Sequence, residues 1–313
     1  VSLPFVCWFN TFRQFTDGIT DTRVAMWILI GGNIMNIFGN WVLIYGHFGM
    51  EEMGLVGAGL STMISRIVMA IVMVSIFFFS KRYKEYRKGW RQGSINRTDF
   101  KQVTVLGLPL ALQMGMETAA FSLSSLMVGW FGTTALAAHQ VMLTISQLGY
   151  MIYYGLAAAV AVRISNFMGQ RDYMAVKRTA TAGIHLVFFL AMLTSIPVFI
   201  FRHSIGGLFT DSSEVVSMVS MTIIPFMIYQ FGDGMQCNYA NAMRGIAVVK
   251  PLIWIAFVAF FIVSLPLGYL FGVVMNYQLI GIWYAFPFGL TTAGLLYYVY
   301  YQKGLKRIEE SAK

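Results

Sequence analysis

The chain has 313 residues, of which 58% are hydrophobic and only 11% are charged, and its net charge is +9. Soluble domains carry about 25% charged residues and could not bury this much apolar surface, so the composition excludes an ordinary soluble protein. The basic residues lie in connections between apolar runs, so they give no reason to expect a nucleic-acid partner.

Apolar stretches long enough to cross a bilayer as helices follow one another along most of the chain. Crossing about 30 Å of hydrocarbon takes about 20 helical residues. An initial run, 1–12, is too short to span. The eight stretches that qualify are Val24–Tyr45, Met53–Ser80, Gln102–Phe131, Thr134–Val162, Thr179–Phe201, Val215–Met243, Leu252–Met275 and Leu279–Tyr301. The predicted fold class is therefore all-α, a polytopic bundle of transmembrane helices.

The charges in the connections predict the orientation of the spans. Alternate connections are basic, above all the stretch from Lys81 to Lys101, and the opposite ones carry the acidic residues Glu51, Glu52, Asp211 and Glu214. Because basic loops stay in the cytoplasm, we expect the basic connections and the C-terminus to be cytoplasmic.

The chain also matches itself, without gaps, at an offset of 227 residues. The coinciding pairs include Gly18 with Gly245, Trp27 with Trp254, and Gly54 with Gly281. Residues 13–83 and 240–310 therefore read as two copies of one helical hairpin in the same orientation, a parallel repeat. Completing the repeat would require four further spans before Val1. We therefore expect an N-terminally truncated piece of a twelve-span protein, and the alternative is a protein that has eight spans by origin.

Four charged residues lie within spans or directly at a span end, where burial of a charge is costly and makes them candidates for function: Arg66, Glu117, Arg163 and Asp233. Glu117 and Asp233 each lie near the middle of a span, with no basic residue within a helical turn. A carboxylate in that position takes up a proton or binds a cation, because hydrocarbon solvates its charge poorly. The alternative is a protonated carboxyl that only links helices.

Polar neighbours extend this pattern. Tyr229 precedes Asp233 by four residues and so shares its helix face, and Gln113 stands in the same relation to Glu117. Glu117, Asp233 and Tyr229 are thus candidate oxygen ligands for Na⁺, or the site of a shared proton, with Gln113 as a possible accessory.

The first hairpin has a milder polar cluster. Asn36 and Asn40 are one turn apart, and Thr62 lies on the next helix. Neutral amides at this depth often bond neighbouring helices, so helix packing and cation ligation both remain open.

Several stretches, in order along nearly the whole chain, resemble the multidrug and toxic compound extrusion (MATE) family; they include FRQFTDGITDTRVAMWI, LGLPLALQMGMETAAF, RISNFMGQRD and YQFGDGMQCNYANAMRG. The resemblance implies two six-helix lobes around a central cleft. Residues 1–83 would then be the end of the N-terminal lobe, with two full spans and a partial one. Residues 84–101 would be a basic cytoplasmic linker, and 102–313 a complete C-terminal lobe.

The resemblance also implies a set of site residues. Glu117 stands at the helix-seven carboxylate of the sodium-coupled branch, and Asp233 and Tyr229 stand at its helix-ten carboxylate and tyrosine. Asn36, Asn40 and Thr62 match polar positions of an N-lobe site. That site also uses an aspartate on the first helix, which this chain lacks.

The expected function is export of amphiphilic, often cationic, organic compounds from the cytoplasm in exchange for Na⁺ or H⁺. We expect a monomer in the inner membrane of a prokaryote, with small organic cations as substrates and no cofactor beyond the coupling ion. An enzyme is not expected, because the chain has no clustered acidic metal motif and no nucleophile with its base. A flippase for lipid-linked saccharides is the alternative, but it should display several cationic residues, and only Arg66 is a candidate.

Overall fold

The computed structural model describes residues 2–93 and 96–312. Within them the secondary structure is helical, and eight helices are long and apolar enough to cross a membrane. The expectation of an all-α bundle with many spans is therefore confirmed. The helices are α1 (Leu3–Gly18), α2 (Thr22–Tyr45), α3 (Gly54–Phe79), α4 (Lys84–Gln92), α5 (Arg97–Gly129), α6 (Thr133–Gly169), α7 (Tyr173–Ile200), α8 (Ser213–Gly245), α9 (Lys250–Val274) and α10 (Gln278–Ser311).

Several helices continue past the spans that hydropathy predicts. The last span was expected to end at Tyr301, whereas α10 runs on to Ser311. Its polar extension is held by an ion pair between Lys306 and Glu310, one turn apart, and by a second between Lys177 and Glu309 at 3.0 Å. Hydropathy reports the part of a helix that lies in hydrocarbon, and the helix itself continues as long as its polar end finds partners.

The chain divides into two compact units, residues 1–96 and 97–313, and the boundary lies inside the stretch 84–101. Much of that stretch is helical, because α4 lies within it and α5 begins at Arg97. Trp90 of α4 packs against Phe12 and Phe77, with ring centroids 6.3 and 6.1 Å apart. The expected linker is therefore largely ordered as helix, and the assignment of the two units to lobes stays a prediction.

In the first unit, α2 and α3 form a close hairpin packed on α1. A Cβ at Gly57 of α3 would lie 2.5 Å from the carbonyl oxygen of Leu43 in α2, so only glycine allows this approach. A small core of Phe9, Ala25, Ile28, Ala70 and Met73 joins the three helices.

The ends of these helices meet at a buried carboxylate, Asp21, which is 5% exposed. Its Oδ2 accepts hydrogen bonds from Arg82 Nε at 2.8 Å and from the Tyr83 hydroxyl at 2.6 Å. Burial, together with the hydrogen bond to Asp21 and the charge of Asp21, raises the pKa of Tyr83 to about 12. The connection before α2 is thereby fastened to the connection after α3.

The second unit is built around α8 and α10, which carry much of its buried surface. One apolar cluster surrounds Val219, Phe226 and Trp283, and another surrounds Ile164, Met243 and Tyr297. Between the positions that these clusters occupy on α8 lies a polar stretch that includes Asp233, Gln236 and Asn238, all buried. The polar groups of α8 are thus placed between two apolar clusters.

The predicted repeat is visible in two turns. α1 ends at Gly18 and α8 ends at Gly245, and the residues two positions later, Thr20 and Ala247, both adopt left-handed backbone conformations with φ of 63° and 58°. The same three backbone hydrogen bonds close each turn, a Schellman-type end. The residues that match in sequence therefore also match in local structure.

Candidate cation-binding site

Asp233 lies near the middle of α8, and a glycine on each side of it lets other helices come close. A Cβ at Gly232 would lie 2.9 Å from the Thr291 hydroxyl of α10, and one at Gly234 would lie 2.5 Å from Val187 of α7. Because bare backbone occupies both positions, α7 and α10 close over this part of α8 and Asp233 is only 2% exposed.

Two tyrosines hold the Asp233 carboxylate. The hydroxyl of Tyr153, from α6, donates a hydrogen bond to its Oδ2, and Tyr229, one turn earlier on α8, also interacts with it through its hydroxyl. Both tyrosines are buried. The carboxylate is therefore oriented by neutral donors.

Glu117 faces the same region from α5. Gln236 of α8 donates a hydrogen bond to its Oε1 at 3.1 Å, and the Glu117 and Asp233 carboxylates interact electrostatically. No ion pair within 4.0 Å involves either carboxylate among the residues that the structure describes. Two like charges without a counter-ion in the membrane interior favour binding of a proton or a cation.

Both carboxylates line one cavity of about 340 Å³ within the second unit. Its wall is formed by α5, α6 and α8 and comprises Met114, Glu117, Thr118, Phe121, Leu143, Ser146, Gln147, Tyr150, Tyr229 and Asp233. The carboxylate, hydroxyl and amide oxygens suit a hard cation such as Na⁺. The structure therefore brings together the predicted residues Glu117, Asp233 and Tyr229, while their role as ligands stays a prediction.

Gln113 has a different partner from the one that helix spacing suggested. It accepts a hydrogen bond from Arg244 Nη2 at 3.1 Å and is absent from the lining of the cavity described above. Arg244 lies just after the predicted span Val215–Met243, whereas in the structure α8 continues to Gly245 and the Arg244 side chain is half-buried. The sequence has no basic residue within a helical turn of Glu117, but the charge of Arg244, which lies on α8, acts on this carboxylate from another helix.

The polar residues of the first unit also come together. Asn36 Nδ2 lies 3.3 Å from the Ser61 hydroxyl and 3.4 Å from the Thr62 hydroxyl, and Asn40 donates to Asn36 Oδ1 at 3.3 Å. Ser61 was missed by sequence reasoning, although it directly precedes Thr62. The cluster is neutral and links α2 to α3, which supports the packing interpretation.

The site residues that sequence reasoning missed come from other helices. Tyr153, Gln236 and Arg244 contact the predicted residues across helices, and spacing along one helix carries no signal for such contacts. His139 of α6 also makes interhelical hydrogen bonds, to Ser125 of α5 and Trp283 of α10 at 3.0 and 3.2 Å. Within residues 2–93 and 96–312, no three His, Cys, Asp or Glu side chains are grouped as metal ligands would be.

Comparison with known proteins decides the family. The family model described as MatE matches residues 109–270, which is more than half of the chain and includes both carboxylates of the cavity. The chain belongs to the MATE family. The match confirms the resemblance to that family. It also confirms the expectation that the chain is not an enzyme. Membership of the sodium-coupled branch stays a prediction.

The similar proteins agree with this assignment. A probable multidrug resistance protein NorM of Photorhabdus laumondii is 29% identical over 95% of the chain and 66% of its own length, and the multidrug resistance protein NorM of Aliivibrio fischeri is 31% identical over 94% and 65%. The chain thus spans about two thirds of the length of these relatives. A crystal structure of MATE in a bent conformation has the same fold, with a TM-score of 0.85 at 18% identity over 97% of this chain and 66% of that one.

Proposed function

We propose that this MATE protein is a secondary active antiporter that exports amphiphilic or cationic organic compounds in exchange for Na⁺ or H⁺. The observation that carries the proposal is the pair of carboxylates, Glu117 and Asp233, which share one cavity and lack a cation at ion-pair distance among the described residues. Its NorM relatives are named multidrug resistance proteins, which supports the same substrate class.

The coupling ion and the organic cation would compete for the same negative charge in the cavity, and this competition would couple ion entry to export. A coupling ion bound by Glu117, Asp233 and the Tyr229 hydroxyl neutralises the cavity and lowers its affinity for an organic cation. Release of the ion restores the charge and the affinity. Phe121 and Tyr150 line the same cavity and offer ring faces to flat cations. Alternating access through rocking of two lobes would give this competition its direction.

The finer assignments belong to the same proposal. Residues 1–83 would contribute to one lobe and 102–313 would form the other, with 84–101 connecting them. The basic connections and the C-terminus would face the cytoplasm of a prokaryotic cell, with the protein a monomer in the inner membrane. Asn36, Asn40 and Thr62 would stabilise the first lobe or form a second cation site in it.

A flippase for lipid-linked saccharides is less well supported. Its site should present several basic side chains to a pyrophosphate. The lining of the cavity between α5, α6 and α8 includes two carboxylates and no basic residue. Arg66, the candidate from the sequence, is exposed and donates to Ser2 at 3.2 Å.

The test is cation-driven efflux by the full gene product in proteoliposomes, with imposed Na⁺ and H⁺ gradients measured separately. Glu117→Gln and Asp233→Asn remove the charge and keep the shape, so we expect each to abolish cation-driven efflux of a fluorescent organic cation while expression persists. Glu214→Gln, at an exposed carboxylate in the first turn of the same α8, is the matched control. Wild-type rates in both carboxylate variants would refute the proposal.

A further inference from the structure

Two side-chain bridges connect α5 and α8 next to the cavity. Gln236 donates to Glu117, and Arg244 donates to Gln113, each at 3.1 Å. Glu117 follows Gln113 by one helical turn on α5, whereas its partner Gln236 precedes Arg244 on α8, so the two helices run antiparallel. The guanidinium of Arg244 therefore rests one turn, about 5.4 Å along the axis, from the position of Glu117.

The Arg244 guanidinium has neutral hydrogen-bond partners, and one of its donors has none among the described residues. It donates to two neutral amide oxygens, Gln113 Oε1 at 3.1 Å and Asn241 Oδ1 at 3.4 Å. Its Nε is buried and has no hydrogen-bond partner among the described residues. A guanidinium presents a planar set of donors that fits a carboxylate with two parallel hydrogen bonds. In its present position, Arg244 uses little of that capacity.

Glu117 is the carboxylate that the charge of Arg244 reaches. Two charged groups act on Glu117 in the described part of the chain: the Asp233 carboxylate repels it and the Arg244 guanidinium attracts it. The attraction between Arg244 and Glu117 opposes the repulsion between Glu117 and Asp233. A cation that enters the cavity therefore competes with a positive charge that is already present.

The directions of α5 and α8 determine how the side chains of Glu117 and Arg244 are oriented. Side chains on a helix tilt toward its N-terminus. Because α5 and α8 are antiparallel, the side chains of Glu117 and Arg244 lean toward each other. A change of the Arg244 side-chain rotamer is therefore the movement by which the guanidinium would pass from Gln113 to Glu117.

We propose that Arg244 is a tethered cation that replaces the coupling ion at Glu117. With the ion bound, Arg244 stays on Gln113. When the ion leaves, the guanidinium moves to Glu117 and neutralises a half-buried carboxylate that would otherwise have no ion-pair partner among the described residues. Arg244 thereby weakens ion binding and speeds ion release, acting as a positioning residue. This inference rests on the proposed function, since it requires a coupling ion at Glu117.

The test measures Na⁺ binding with ²²Na⁺ and proton uptake by potentiometric titration, on the purified full gene product in detergent. Arg244→Gln removes the competitor, so we expect the apparent affinity for the ion that Glu117 binds to rise about tenfold, within the usual range of coupling between sites. Ion exchange should slow in proportion, because release becomes harder. Arg163→Gln is the matched control, since Arg163 lies over the ring of Phe167, 5.1 Å from its centroid, and takes part in neither bridge.

A second variant, Gln113→Met, should change the apparent ion affinity in the opposite direction. Gln113→Met keeps the volume but removes the resting acceptor of Arg244, so the guanidinium should shift to Glu117 and lower the apparent ion affinity about fivefold. Damage to the fold would lower the affinity in both variants, whereas competition predicts a rise in one and a fall in the other. Should Arg244→Gln fail to fold, Gln113→Met alone decides.

Each outcome is decisive. Unchanged affinity in Arg244→Gln, a fall in that variant, or an unchanged or tighter affinity in Gln113→Met would overturn the role of Arg244 and leave the proposed function standing. If Glu117→Gln alters neither Na⁺ binding nor proton uptake, both the proposed function and this inference are wrong.

Discussion

The two units each bury an aspartate almost completely, and the two aspartates differ in their partners. Asp21 is 5% exposed and forms an ion pair with Arg82 at 2.8 Å, while Asp233 is 2% exposed and is held by tyrosine hydroxyls. The charge of Asp21 is thus matched inside the protein, whereas that of Asp233 lacks an ion-pair partner among the described residues. Burial alone does not identify a functional carboxylate, and the charge of its neighbours separates a structural from a candidate coupling role.

Removing the charge of Asp21 should affect stability and leave cation binding unchanged. Asp21→Asn weakens the hydrogen bonds from Arg82 and Tyr83, and we expect it to lower the free energy of unfolding by about 2 kcal/mol. Thermal unfolding in detergent measures the loss, and ²²Na⁺ binding supplies the second readout. Asp233→Asn is the counterpart and should abolish binding with little loss of stability. A loss of Na⁺ binding in Asp21→Asn as well would end the distinction between the two aspartates.

Removing the Tyr83 hydroxyl should lower the free energy of unfolding by a smaller amount, and this loss should depend on pH. Tyr83→Phe removes one donor to Asp21 and should cost about 1 kcal/mol at neutral pH. In the wild type the folded-state pKa of Tyr83, about 12, lies above its ordinary value of 10.0. The stabilising contribution of Tyr83 is therefore fully present below pH 10 and is lost as pH rises through about 12.

The difference in stability between wild type and Tyr83→Phe should accordingly shrink between pH 10 and pH 12, as measured by thermal unfolding across that range. A difference that stays constant with pH would show that folding does not raise the pKa of Tyr83.

The smallest effect is expected in the neutral cluster of the first unit. Asn36→Leu removes amide contacts at 3.3 and 3.4 Å, but the Ser61 and Thr62 hydroxyls keep backbone acceptors, the carbonyls of residues 36 and 58. We therefore expect a cost below about 1 kcal/mol in thermal unfolding and unchanged Na⁺ affinity. A clear fall in Na⁺ affinity would favour a cation site in this cluster over simple packing.

Much of the architecture follows from the sequence because hydrocarbon imposes simple rules on it. Span positions come from hydropathy, and the depth of Glu117 and Asp233 within spans identifies both as candidates before any contact is known. The spacing of Tyr229 and Asp233 places them on one face, as the shared cavity shows.

What the sequence does not yield is the pairing between helices. Tyr153 of α6 contacts Asp233 of α8, and Gln236 of α8 contacts Glu117 of α5. Both contacts depend on how the helices are rotated and on their relative register. Arg244 and Tyr83 lie outside the predicted spans, which end at Met243 and Ser80, because hydropathy falls before the packed structure ends. Both have specific partners at helix ends, where composition is least informative.

The glycines beside Asp233 have a mechanical consequence. With bare backbone on either side, the aspartate segment of α8 has no flexible side-chain atoms to absorb a displacement against Thr291 of α10 or Val187 of α7. Any shift of that backbone would therefore be passed directly to α10 and α7. A displacement of the Asp233 carboxylate would thus involve α8 together with α7 and α10.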